Sequence, residues 1–137
     1  MPASADYFEH GADIGVIGRG ASIEEAFARA AAAMFAIMVE MPSVQPAVEV
    51  EVDFEEDDVE FALVRWLNAL LAQARERGVV LSRFELRRDG NHWHGRARGE
   101  PWRESHVRGT EVKGATLTAL SVRRDEHGWQ ARCVVDV

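Results

Sequence analysis

Residues 48–54 alternate without a break. Val48, Val50, Val52 and Phe54 are apolar, and Glu49, Glu51 and Asp53 between them are acidic. Side chains of a strand point alternately to opposite faces, so this pattern specifies a strand with one wet face and one buried face. Two helical segments are available to pack with it. Ser22 and Glu25 make a capping-box pattern, and Ile23, Phe27, Ala30, Ala31, Met34 and Met38 then recur at helical spacing. Pro42 is expected to end this helix. The acidic run Glu55-Glu56-Asp57-Asp58 suits the partial positive charge at the start of a second helix. Leu63, Val64, Leu67, Leu70, Leu71 and Ala74 form its apolar face, and Gly78 is placed as its left-handed stop.

The remainder reads as β. A short strand at Tyr7 to Glu9 is followed by a polar turn and a second strand through Ile14, Val16 and Ile17. Val79 to Arg88 and His92 to Arg98 flank Asp89-Gly90-Asn91, a hairpin signal. Val112 to Ala115 and Leu117 to Val122 are expected to be interrupted strand, and Trp129 to Val137 the last strand. Two helices on one face of a mostly antiparallel sheet give a two-layer α+β architecture. The length of 137 residues fits one domain, 1–137.

Sixteen basic against 23 acidic residues give a net charge of −7. A chain that grips a phosphate backbone by itself carries a basic excess, which this one lacks. Arg83, Arg87, Arg88, Arg96 and Arg98 are the local exception, and a solvated strand face is their plainer reading. Cys133 is the one cysteine; set in an apolar run without a metal-spaced partner, it reads as a buried, inert thiol. Met1-Pro2-Ala3-Ser4 lacks the basic and apolar regions of a signal peptide, and no stretch approaches the ~20 apolar residues of a membrane span. The expected location is the cytoplasm.

There is no P-loop, no His-Glu-x-x-His, no Cys-x-x-Cys and no Gly-x-Ser-x-Gly. Three places remain where chemistry could reside. His10 and Asp13 enclose Gly11 and Ala12, small residues that let an imidazole and a carboxylate approach one ligand; the alternative is an Asx-type turn. Asp136 and the α-carboxylate of Val137 would lie close together if the last strand runs to the end. Adjacent negative groups repel unless a cation sits between them, which points to oxygen ligands for Ca²⁺, Mg²⁺ or Mn²⁺, with a solvated chain end as the alternative. His92 and His94 share one strand face, but no third metal ligand of known position accompanies them.

His10-Gly11-Ala12-Asp13-Ile14-Gly15 resembles the opening motif of the archease family. Further similarities follow in order: Ser22 to Phe27, Ala33-Met34-Phe35, Leu63 to Asn68, Leu81 to Phe84, Gly99-Glu100-Pro101, His106, Thr110-Glu111-Val112-Lys113, and the closing Asp136. Gly11 departs from the family's usual Thr, removing a hydroxyl that would steady the loop or a metal-bound water. The resemblance implies a non-catalytic accessory protein. Its partner would be an RtcB-type RNA ligase, whose guanylylation from GTP and repeated turnover it promotes in tRNA splicing and RNA repair. GTP and RNA would be engaged only through the ligase. The family's metal site falls on Asp13, Asp136 and Val137, so the resemblance favours the ligand reading of Asp13. The cation would be divalent, with Ca²⁺ the ion expected in a structure and Mg²⁺ or Mn²⁺ as alternatives. His10, Glu111 and Lys113 are expected to support this acidic tip, and assembly as a homo-oligomer is compatible with the sequence. Other readings are a protein chaperone for an RNA-modifying enzyme such as a methyltransferase, a small metal-dependent hydrolase using Asp13, Asp136 and His10, and a purely structural interaction module.

Overall fold

Ser22 begins the first helix as its spacing from Glu25 predicts. The Glu25 amide donates to Ser22 Oγ at 3.1 Å, and the Ala21 amide donates to Glu25 Oε1 at 3.3 Å. A computed structural model describes residues 7–10 and 13–137. Its elements are β1 (Tyr7–His10), β2 (Asp13–Gly20), α1 (Ile23–Met38), β3 (Val48–Glu55), α2 (Val59–Arg77), β4 (Val79–Asp89), β5 (His92–Pro101), β6 (Gly114–Ala115), β7 (Ser121–Asp125) and β8 (Gly128–Asp136), with a 3-10 turn at Met41–Ser43.

Helix α2 starts at Asp58, whose side chain accepts from the amides of Glu60 and Phe61, and stops at Gly78 in the left-handed region at φ 65. The β4–β5 hairpin turns through Gly90 and Asn91, with Gly90 at φ 62 in the first central position. Helix α1 ends at Met38, short of Pro42. Tertiary pairing stops it: Gly109 and Thr110 donate to the carbonyls of Met38 and Ile37 at 2.8 and 2.9 Å, and Val39 pairs with Arg108. Residues 117–120, expected as strand, include a turn with Ala119 at φ 53, and strand resumes at Ser121. Only Gly114 and Ala115 of the preceding stretch pair as strand.

The α+β class and the antiparallel pairing agree with the sequence reading. The strands divide, however, into two sheets rather than one layer. One is ordered β3-β5-β4; the other runs β1-β2-β8-β6, with β7 also paired to β8. Helix α1 touches β2 and β8 of one sheet and β4 of the other, and α2 touches β3, β4, β6 and β7. The reason lies in α1. Its buried residues, Ala26, Phe27, Ala30, Ala31, Ala33, Met34, Phe35 and Ile37, spread over more than half the helix circumference. A stripe that wide needs cover from two sides.

Gly18 of β2 permits close crossing of α1: a Cβ there would lie 2.1 Å from the Ala26 carbonyl oxygen. At the other sheet Phe27 stacks on Trp93 with ring centroids 5.3 Å apart. The buried Trp66 indole N–H donates to the Phe27 carbonyl at 2.9 Å, so it enters the core without an orphaned donor.

Candidate functional site

Strand β2 begins at Asp13 and β8 ends at Asp136. Their last paired rung is Ile14 opposite Val135. Asp13 and Asp136 therefore stand opposite each other one residue further on. Ile14, Val16 and Gly18 line the side of β2 that meets α1; by the two-residue period, Asp13 and Asp136 belong to the outer face. The backbone register continues the row in both directions, with His10 beside Asp13 and Gly114 beside Asp136. Gly11, Ala12 and the His10 side chain lie outside the described residues.

The last residues are tied down. Val137 is half-buried and packs against the core. The Lys113 amide donates to the Asp136 carbonyl at 2.7 Å. Two α2 residues hold the Val112–Ala115 segment in place. Asn68 accepts from the Ala115 amide at 2.8 Å and donates to its carbonyl at 3.2 Å. Arg75 Nη2 donates to the carbonyls of Val112 and Lys113 at 2.6 and 2.7 Å. The sequence reading missed this pair. Its signal was two polar residues seven apart on a helix, hence on one face.

Among the described residues no ion pair involves Asp13 or Asp136. Carboxylate oxygens are the donors that a hard cation prefers. Among the described residues no three His, Cys, Asp or Glu side chains group to hold a metal. Lys113 reaches this edge through its backbone. Glu111 lines a cavity with Arg75 and Arg108.

Other candidates resolve differently. His92 Nε2 and His94 Nδ1 lie 3.2 and 2.6 Å from the same Asp53 oxygen, across the β3–β5 pairing. Hydrogen bonds from His94, then His92, hold the Asp53 carboxyl below the usual range. Arg96 and Arg98 pair with Glu85 at 3.5 Å and Glu49 at 3.1 Å, so this face is a ladder of exposed, mutually paired charges. Cys133 is fully buried, and burial pushes its thiol up to about 12, away from nucleophilic use.

The loop after β5 carries a buried polar unit. Glu100 is 4% exposed and His106 is 5% exposed. Glu100 accepts from the Gln45 amide and pairs with Arg103 at 2.5 Å. His106 Nδ1 accepts from the Arg103 amide at 2.9 Å, and its Nε2 lies 3.2 Å from Glu100 without hydrogen-bond alignment. The Gln45 hydrogen bond, foremost, holds the Glu100 carboxyl below its ordinary value.

Two helices packed against two antiparallel sheets define an α+β class of protein. The archease protein family (MTH1598/TM1083) matches residues 6–137. Protein archease of Sulfolobus acidocaldarius is 35% identical over 96% of this chain and 97% of its own. Protein archease of Methanosarcina mazei is 36% identical, covering 96% and 94%. The solution structure of protein 1598 of Methanobacterium thermoautotrophicum superposes with a TM-score of 0.85 at 31% identity, over 96% of this chain and 97% of that one. The chain belongs to the archease family, whose members are accessory proteins associated with RNA ligases. Among the described residues no helix is long and apolar enough to cross a membrane.

Proposed function

We propose that this chain activates an RtcB-type RNA ligase in tRNA splicing and RNA repair, promoting the ligase's guanylylation and its repeated turnover without itself catalysing a reaction. The observation that carries the reading is the juxtaposition of Asp13 and Asp136 at the ends of two central strands, on the outer face of the sheet, in a chain of this family. Asp13, Asp136 and the Val137 main-chain oxygens would hold a divalent cation there, Ca²⁺, Mg²⁺ or Mn²⁺. Such a cation supplies charge stabilisation for nucleotidyl transfer. The chain's own part is to present this acidic edge to the ligase's nucleotide site, with the Arg75 and Asn68 clamps fixing its position. The net charge of −7 suits a partner with a basic RNA cleft, because complementary fields speed encounter.

The direct test is transfer of labelled GMP from GTP to the ligase, with and without this protein at limiting ligase. Faster and more complete labelling of the ligase supports the reading. Unchanged labelling, with a ligase active alone, removes it.

A further inference from the structure

A cavity of about 400 Å³ lies between the C-terminal ends of α1 and α2, the start of β4 and the segment from Trp102 to Val112. That volume falls within the roughly 300–1,000 Å³ of small-molecule sites. Phe35, Met38, Leu71, Val79 and Trp102 contribute apolar wall. Two guanidinium groups, those of Arg75 and Arg108, line it as well. Among the described residues neither is in an ion pair, although the chain is acidic overall. Arg75 spends one nitrogen on two backbone carbonyls. Arg108 lies over the Trp102 ring, 3.9 Å from its centroid, and is exposed. Glu111, on the same wall, sets one negative charge against these two positive ones.

An apolar cavity with an excess of unneutralised guanidinium at its wall selects an apolar body carrying a negative group. Arginine's planar cation adds stacking contact with rings and paired hydrogen bonds to a carboxylate or phosphate. We propose that this cavity binds a small planar aromatic anion, an aryl carboxylate or aryl phosphate. Its ring packs on Trp102 and the Met38–Leu71 wall, and its negative group pairs with Arg108. The cavity shares Arg75 and Val112 with the segment beside the acidic edge, but its test rests on Arg108 and on probe binding, so it is read independently of ligase activation.

The full-length chain is titrated with two fluorescent probes of similar ring structure, anilinonaphthalene sulfonate and the neutral phenylnaphthylamine. The expected result is one sulfonate bound per chain. Arg108→Met should weaken the sulfonate about tenfold or more and the neutral probe less than about twofold, as loss of a charge-assisted contact requires. Trp102→Ala should weaken both. Arg108 is exposed, so its variant tests the charge even if Trp102→Ala fails to fold. No sulfonate binding, several weak sites, or a sulfonate affinity unmoved by Arg108→Met overturns the proposal.

Discussion

Asp13 and Asp136 face each other across β2 and β8, one residue past the Ile14–Val135 rung, and among the described residues neither is in an ion pair. Like charges so placed are relieved by a cation. Titration with Mn²⁺ or Ca²⁺ should give saturable binding and a rise in melting temperature, since a ligand of the native state stabilises it. Asp13→Asn should weaken that binding about tenfold or more and leave the melting temperature of the cation-free protein nearly unchanged. Equal affinity in the variant would remove Asp13 from the ligand set.

Gly95 of β5 lies under the Trp66 indole, and a Cβ there would stand 2.2 Å from the ring. Trp66 is fully buried and bonded to Phe27, so it has little freedom to retreat. Gly95→Ala should cost about 1–3 kcal/mol in urea unfolding, the usual range for overpacking. A loss under about 0.5 kcal/mol would mean that the indole swings aside, as only a loosely held residue can.

Glu100 gives the fold an acid-sensitive point. Its carboxyl titrates below its ordinary value of 4.5, chiefly through the Gln45 amide, with smaller help from His106 and Arg103. A carboxylate with a depressed folded-state pKa contributes stability that is complete above the unfolded value and is lost as pH falls through the folded one. Stability should therefore decline as pH drops below 4.5, and Glu100→Gln, less stable at neutral pH, should flatten this part of the profile. Parallel profiles for the two proteins between neutral pH and strong acid would show that other carboxylates govern the decline.

The parts of the fold legible in the sequence were the local ones. The Ser22–Glu25 cap, the Gly78 stop and the Gly90-Asn91 turn depend on neighbours within a few residues, and each formed as read. The end of α1 was not legible from Pro42, because the partners of Ile37 and Met38 are Thr110 and Gly109, some seventy residues away. The division into two sheets escaped for the same reason, although the wide apolar arc of α1 was its local trace. The sequence could not show that Asp13 and Asp136 stand opposite each other one residue past the last rung of β2 and β8, that Arg75 and Asn68 hold the adjoining segment, or that Glu111 lines a cavity with Arg75 and Arg108.

Arg75 offers a way to disturb the edge without touching a carboxylate. Arg75→Met keeps the stem but removes the donors to the Val112 and Lys113 carbonyls. Those carbonyls and the Lys113 amide bonded to Asp136 belong to one segment. Amide hydrogen exchange of Lys113 and Ala115 should accelerate by about ten- to a hundredfold, the effect of losing a charge-assisted hydrogen bond of roughly 1.5–3 kcal/mol, while core amides of β5 stay protected. Unchanged exchange at Lys113 would show that Asn68 alone holds the segment.

The central claim is activation of an RNA ligase through the acidic edge, and multiple-turnover ligation measures it most directly. An RtcB-type ligase from the same organism, limiting and supplied with GTP and Mn²⁺, is assayed alone, with this protein, and with its Asp13→Ala form. The account predicts that the wild-type chain raises the number of turnovers per ligase and that the folded variant does not. Equal turnover in all three reactions, with the ligase active alone, would contradict it.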